Sequence, residues 1–356
     1  MNDLDDLASL EHLDSLDVLG AVERFAEQCR EAWAIGRSAR DLPDADGLDS
    51  IVVLGMGGSG ISGDVAQAIV EPRLPLPWRT IKGYGPLPEW VGRNTLVFAV
   101  SYSGGTEETL AAFEEAHNRG ARGVAISSGG RLADLAQRYG VTHVEIPGGL
   151  QPRASLGFLA LPLLAVLVEM GLVPDLQADV DEAVEVLTAL GDRCHRKVAA
   201  SENPAKALAQ KLAGRFPIVY GGEGLGAVAA YRFKCDLNEY GKSHAFAHSF
   251  PELNHNEIVG WNQLDDVTRE RFAIVLLRDE GEHERVALRF EITERLIRDK
   301  AAEVAIVHSQ GNSGLARLLS LVFVTQLAAI YVGLAYGVDP GPVEAIESLK
   351  RQLSDR

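Results

Sequence analysis

Between residues 238 and 261 the sequence reads NEYGKSHAFAHSFPELNHNEIVGW, and ionisable side chains crowd it: Glu239, Lys242, His244, His248, Glu252, His255 and Glu257. A carboxylate and an imidazole that meet one ligand can trade protons at neutral pH, so the stretch points to acid–base chemistry. Three histidines also raise zinc. Yet His244 and His248 straddle a segment that reads as extended, and no HExxH is present. No metal is expected, and the bland alternative is a solvated polar loop.

Two further stretches suit an anion. The first, IVVLGMGGSGISGDVAQAIV at 51–70, has glycines at 55, 57, 58 and 60 around Ser59. A buried strand runs over Ile51–Leu54, and helical spacing follows from Ile61 to Val70. Strand, glycine turn and helix together aim bare N–H groups and a positive helix end at one point. The second, SYSGGTEET at 101–109, offers the hydroxyls of Ser101, Ser103 and Thr106 where a strand gives way to a helix. Thr106 also reads as a helix cap. GMGGSG fits a dinucleotide fingerprint, but the second strand ends in IKGYG without the acidic residue a ribose needs. No GK[ST] follows the glycines, which excludes a Walker loop. No cofactor is expected.

The elements that must position these residues alternate strand and helix. Strands are expected at Trp78–Lys82, Asn94–Val100, Gly123–Ile126 and Thr142–Ile146, then at Phe216–Tyr220, Arg271–Leu277 and Glu303–His308. Helices are expected over 227–239, 312–336 and 343–353, with an earlier one carrying Val18, Val22, Phe25 and Ala26 that packs on the domain after it. The rhythm implies parallel sheets with helices on both faces and ligands outside the carboxyl ends of the strands. Arg153 follows the fifth strand and belongs at that edge. GGEGLG at 221–226 repeats the opening motif, so the halves read as diverged copies of one α/β unit.

The 356 residues suffice for two domains, and a net charge of −16 disfavours nucleic acid. Three scattered cysteines give no disulfide framework. The acidic N-terminus is no signal peptide, and the apolar run 321–336 reads as a core helix rather than a membrane span. A cytoplasmic protein is expected, with no membrane partner.

These motifs resemble the sugar isomerase (SIS) superfamily, and more closely the bifunctional phosphoglucose/phosphomannose isomerases. GMGGSG, SYSGGTEET, SSGGRL at 127–132 and PRASL at 152–156 carry the superfamily likeness. LNEYGK at 237–242, PELNHNEI at 251–258 and IESLKRQL at 346–353 are more specific to the isomerases. The resemblance implies two SIS-type three-layer α/β/α domains, each with a mostly parallel sheet, at 1–200 and 201–338. A C-terminal helix, 339–356, returns to the active site. It implies a homodimer acting on hexose 6-phosphates without metal, its active site at the subunit interface. By the same resemblance Glu239 is the base that shuttles a proton between C1 and C2, and His255, from the neighbouring subunit, serves ring opening. Lys350 is a third catalytic position, Arg153 stabilises the enediolate, and Gly57, Gly58, Ser59, Ser101, Ser103 and Thr106 hold phosphate and sugar. Lys350 has no sequence signal of its own. Three rivals stand beside this: a non-catalytic sugar-phosphate sensor, another SIS isomerase or deaminase, and a zinc-dependent mannose isomerase.

Overall fold

The computed structural model describes residues 1–354, which fall into two compact units. The first comprises Arg24–Leu187 and Gly311–Arg317. Its sheet has five strands, β1 Ser50–Leu54, β2 Trp78–Ile81, β3 Thr95–Val100, β4 Arg122–Ser127 and β5 Thr142–Glu145, in the order β2-β1-β3-β4-β5. All neighbours pair in parallel. Every residue of β1 and β3 is buried, as the unbroken apolar runs require of strands covered on both faces. Val52, Leu54, Val97 and Ala99 pack with Phe113 and Leu132 from the helices Glu107–Asn118 and Gly130–Tyr139. Each such large side chain contributes about 1.5–3 kcal/mol when removed from water.

The strand order has one reversal point. The chain leaves β1 for β2 on one side, then crosses back to β3 on the other. The turns after β1 and β3 therefore diverge and leave a crevice at the carboxyl edge of the sheet. They are the GMGGSG and SYSGGT turns.

The second unit comprises Met1–Glu23, Thr188–Gln310 and the residues from Leu318 on. Its strands are β6 Phe216–Gly222, β7 Phe246–Phe250, β8 Phe272–Arg278 and β9 Glu303–His308, in the order β7-β6-β8-β9, again all parallel. This is the order β2-β1-β3-β4 repeated, as diverged copies of one unit would give; among the described residues β5 lacks a counterpart. Tyr220, Phe250, Leu253, Trp261 and Phe290 form its core. Helix Gly314–Ala335 is long and apolar enough to cross a membrane, but its apolar window is entirely buried inside the fold, as a core helix would be.

The α/β class and parallel sheets agree with expectation, while the compact units divide the chain at other places than the expected domains. The predicted N-terminal helix breaks at Arg24 into Val18–Glu23 and Phe25–Arg37, which join different units. Residues 1–23 go with the second unit because buried charges there need them. Lys206 is 1% exposed, and its ammonium reaches Asp5 Oδ1 at 3.1 Å. Arg196 bonds Glu23 at 2.8 Å and Asp17 at 2.9 Å. The division expected at 200/201 thus lies within the second unit, which also holds the C-terminal helix Glu344–Ser354. The edge strand β7 and the helices Pro204–Leu212 and Glu284–Ile297 were not among the expected elements.

Gly104 sits where the turn after β3 crosses the turn after β4. Its φ is +66°, and a Cβ there would lie 1.8 Å from the Gly129 carbonyl oxygen. Backbone cannot swing aside as a side chain can, so Gly104→Ala should cost about 3 kcal/mol or more. Denaturant unfolding checks this; a loss under about 1 kcal/mol would mean that the crossing yields.

Candidate active site

In the first unit the carboxyl edge of the sheet is a set of interlocked turns. Helix Gly57–Val70 begins at its glycines, with Met56 in the cap position and no side-chain cap. Helix Glu107–Asn118 begins after Thr106, again with no side-chain cap. The expected Thr106 cap is absent because its hydroxyl turns to Ser101, Oγ1 to Oγ 2.8 Å. Two helix N-termini thus face the edge without a side chain of their own across them, and helix ends of this kind favour anions.

Side chains lock the turns. The Tyr102 N–H donates to Ser59 Oγ at 3.2 Å, and the Leu150 N–H donates to the Tyr102 hydroxyl at 2.9 Å. Ser128 donates to the Tyr102 carbonyl at 2.7 Å. The 3-10 turn Pro152–Ala154 lies directly on Gly58, where a Cβ would come 2.8 Å from the Pro152 carbonyl oxygen and 3.4 Å from Arg153 Cα. Only glycine permits that approach. Among the predicted contacts, Ser59, Ser101 and Arg153 are buried, Gly57 and Ser103 are exposed, and Thr106 is half-buried. The fold therefore gathers Gly57, Gly58, Ser59, Ser101, Ser103, Thr106 and Arg153 at one edge. Ser59 engages its hydroxyl in joining two loops, and Ser101 engages its own within the 101–106 turn.

The matching crevice of the second unit has the opposite chemistry. GGEGLG again leads into an uncapped helix, Leu225–Glu239, but the turn after β8 carries Asp279, Glu280 and Glu282 where the first unit has hydroxyls. A Cβ on Gly222 would lie 3.5 Å from Glu282 Oε2. That oxygen is buried and accepts no hydrogen bond, while Oε1 accepts from Arg278 at 2.6 Å. Burial pushes the Glu282 carboxyl above the usual range, against the opposing pull of Arg278. The carboxylates make this a poor seat for phosphate, so the geometry favours the first unit's crevice.

Glu239 ends helix Leu225–Glu239 and is half-buried rather than core. The helix leaves the carboxyl end of β6 and runs back along the sheet for 15 residues, about 22 Å at 1.5 Å per residue. Glu239 thus lies at the amino edge of this sheet. The chain then returns through β7 to the carboxyl edge, where the exposed His255 ends the 3-10 turn Glu252–His255. Glu239 and His255 of one chain are at opposite edges of their sheet. Lys350 is exposed on helix Glu344–Ser354. That helix starts next to the 339–342 turn, which Lys242 holds against the Glu239 carbonyl.

His248, Glu252 and Glu257 of the 238–261 stretch have structural partners, Glu252 Oε1 accepting from Asn256 at 2.8 Å. His248 Nδ1 is 2.7 Å from Glu257 Oε2, and Glu257 Oε1 accepts from the Tyr220 hydroxyl at 2.6 Å. Burial, with Glu257 adding to it, pushes the Tyr220 phenol well above its ordinary value. Among the described residues no cluster of His, Cys, Asp and Glu is suited to a metal ion. Sequence reasoning missed Lys242 and Tyr220 as organising residues, because only the fold brings their partners close.

Similar proteins identify the family. The sequence signature of the bacterial phospho-glucose isomerase C-terminal SIS domain matches residues 201–353. A bifunctional phosphoglucose/phosphomannose isomerase of Caldicellulosiruptor bescii is 39% identical over 335 residues, covering 94% of this chain and 98% of its own. The chain belongs to this family. A second member of the bifunctional isomerases, from Aquifex aeolicus, is 38% identical over 317 residues, 88% of this chain and 92% of its own. A glucose-6-phosphate isomerase-like protein from Thermus thermophilus shares the fold at a TM-score of 0.63. It is 22% identical and covers 96% of this chain and 99% of its own. The resemblance and the two SIS-type units thus agree with the relatives found.

His143, on β5, places Nε2 2.8 Å from Ser127 Oγ, beside the SSGG turn. Burial lowers its imidazole below the ordinary 6.5, and Glu145 opposes that in part. The folded state thus disfavours the proton, and stability should fall as pH drops from 6.5 through the folded value. NMR should show His143 titrating below 6.5, and His143→Gln should remove that part of the acid sensitivity. A midpoint above 6.5 would contradict it.

Proposed function

We propose that the chain is an aldose–ketose isomerase interconverting glucose 6-phosphate and mannose 6-phosphate with fructose 6-phosphate through a cis-enediol. What carries the reading is kinship with a bifunctional isomerase over 94% of the chain, in a structure that keeps Glu239 out of the core. The hydroxyl-lined helix ends of the first unit support a phosphate seat there.

The chemistry follows from these parts. A proton alpha to a carbonyl is weakly acidic, so its removal needs a placed base and a cation for the charge that develops. Glu239 takes the proton from one carbon and returns it to the next, and Arg153 answers the enediolate. Gly57, Gly58, Ser103 and Thr106 hold the phosphate, with Ser59 and Ser101 setting the loops. Binding the unreactive phosphate positions the reacting carbons. Glucose and mannose 6-phosphates differ at C2, so one base serves both when either face is accepted. The proton transfers use side chains alone. Lys350 acts beside Glu239, and the reading fits a cytoplasmic enzyme of sugar phosphate metabolism.

We also propose a homodimer with the active site at the subunit interface. The opposite-edge placement of Glu239 and His255 supports it, since a shared proton path needs the histidine from a second copy. The C-terminal helix supports it as well, because Ile346, Leu349 and Leu353 stay 41%, 58% and 50% exposed.

Glu239→Gln should lower kcat by about 10²–10⁴-fold for both aldoses with KM little changed. The assay is run in chelator; wild-type turnover abolished by chelator would favour a zinc enzyme, and no wild-type turnover at all a sensor. Co-expressed Glu239→Gln and His255→Ala chains, each inactive alone, should regain about a quarter of wild-type activity, one intact site per mixed dimer. No regain would mean that His255 acts within its own chain or not at all.

A further inference from the structure

We propose that Lys242 is a positioning residue whose ammonium clamps the root of the C-terminal helix onto the end of the helix that carries Glu239. Its Nζ donates to the carbonyl of Glu239 at 2.6 Å, of Pro342 at 2.6 Å and of Pro340 at 3.3 Å. An ammonium has three donors, and here all three meet backbone oxygens. One acceptor is a last-turn carbonyl at the negative end of the helix dipole. The other two belong to the 339–342 turn, one and three residues before Val343 and Glu344 lead into helix Glu344–Ser354.

The backbone of Lys242 adds a second observation. Its φ is +49°, a left-handed conformation that glycine adopts freely and lysine does not. Gly241 precedes it, and the turn is closed by the Ser243 N–H on the Leu237 carbonyl at 3.2 Å and by Asn238 Nδ2 on the Ser243 carbonyl at 2.8 Å. Glycine would satisfy the turn alone, so the lysine is there for its side chain; strained residues of this kind gather at functional sites. The helix it anchors needs an anchor, for its apolar residues remain exposed within the chain. Resting on the isomerase reading, the inference is that the clamp sets the direction in which Lys350 is presented relative to the Glu239 carboxylate.

Lys242→Gly separates the roles, because it relieves the backbone while deleting the ammonium. The clamp predicts an unchanged or raised Tm, faster amide hydrogen exchange over residues 344–353, and a kcat about 10–100-fold lower with KM for glucose 6-phosphate little changed. Lys242→Arg, which keeps a charged donor, should recover part of kcat and of the exchange protection. Wild-type kcat in Lys242→Gly overturns the proposal, whether or not exchange rises, and so does a lowered kcat with exchange unchanged. Exchange is read without turnover, so an inactive wild type would count against the isomerase reading while the exchange data still decide whether the clamp exists.

Discussion

A helix that starts without a side-chain cap leaves its first N–H groups aimed outward, and the first unit does this on both sides of its strand-order reversal. The rest of the site serves that arrangement. The 2-1-3 strand order brings the two helix starts to the same crevice. Gly58 lets the Arg153 turn press against the first of them. Ser101 draws away the hydroxyl of Thr106 that would otherwise close the second. Tyr102 ties its own turn to the turns after β1, β4 and β5 through three hydrogen bonds. Each bond alone contributes about 1 kcal/mol, but together they fix N–H groups before a ligand arrives, which is what makes an anion seat effective.

The second unit shows what divergence did to the same topology. It keeps the strand order, the glycine turn and an uncapped helix, yet Asp279, Glu280 and Glu282 stand at the crevice and turn its field against phosphate. Its contribution shifts to the other edge, where the long helix delivers Glu239 and the Lys242 turn. On the proposed reading one copy holds an anion and the other presents a carboxylate, which divides binding from proton transfer.

Much of this was legible in the sequence because buried parallel strands write themselves as unbroken apolar runs. β1, β3 and β8 match the expected limits to within a residue for that reason. The glycine and hydroxyl turns were legible because their residue types have few other uses at a strand–helix junction. What escaped depends on side chains meeting across the fold. Asp5 answers Lys206 across 201 positions, and this, not local pattern, sends the first residues to the second unit. The Thr106 cap was a fair expectation from its type and failed because Ser101 competes for the hydroxyl. Edge strand β7, with polar His248 and Ser249, lacks the apolar run that marks a central strand. Lys242 reads as one more charge in a charged stretch, since the turn it grips lies 98 to 100 positions further along the chain.

The central claim is that the first unit's crevice, and not its counterpart, seats the phosphate. Backbone amide shifts on titration with glucose 6-phosphate test it most directly. The account predicts the largest perturbations at Gly57, Gly58 and residues 103–107, with Gly222 to Leu225 unmoved. Perturbations centred on Gly222 to Leu225, or none at Gly57 and Gly58, would contradict it.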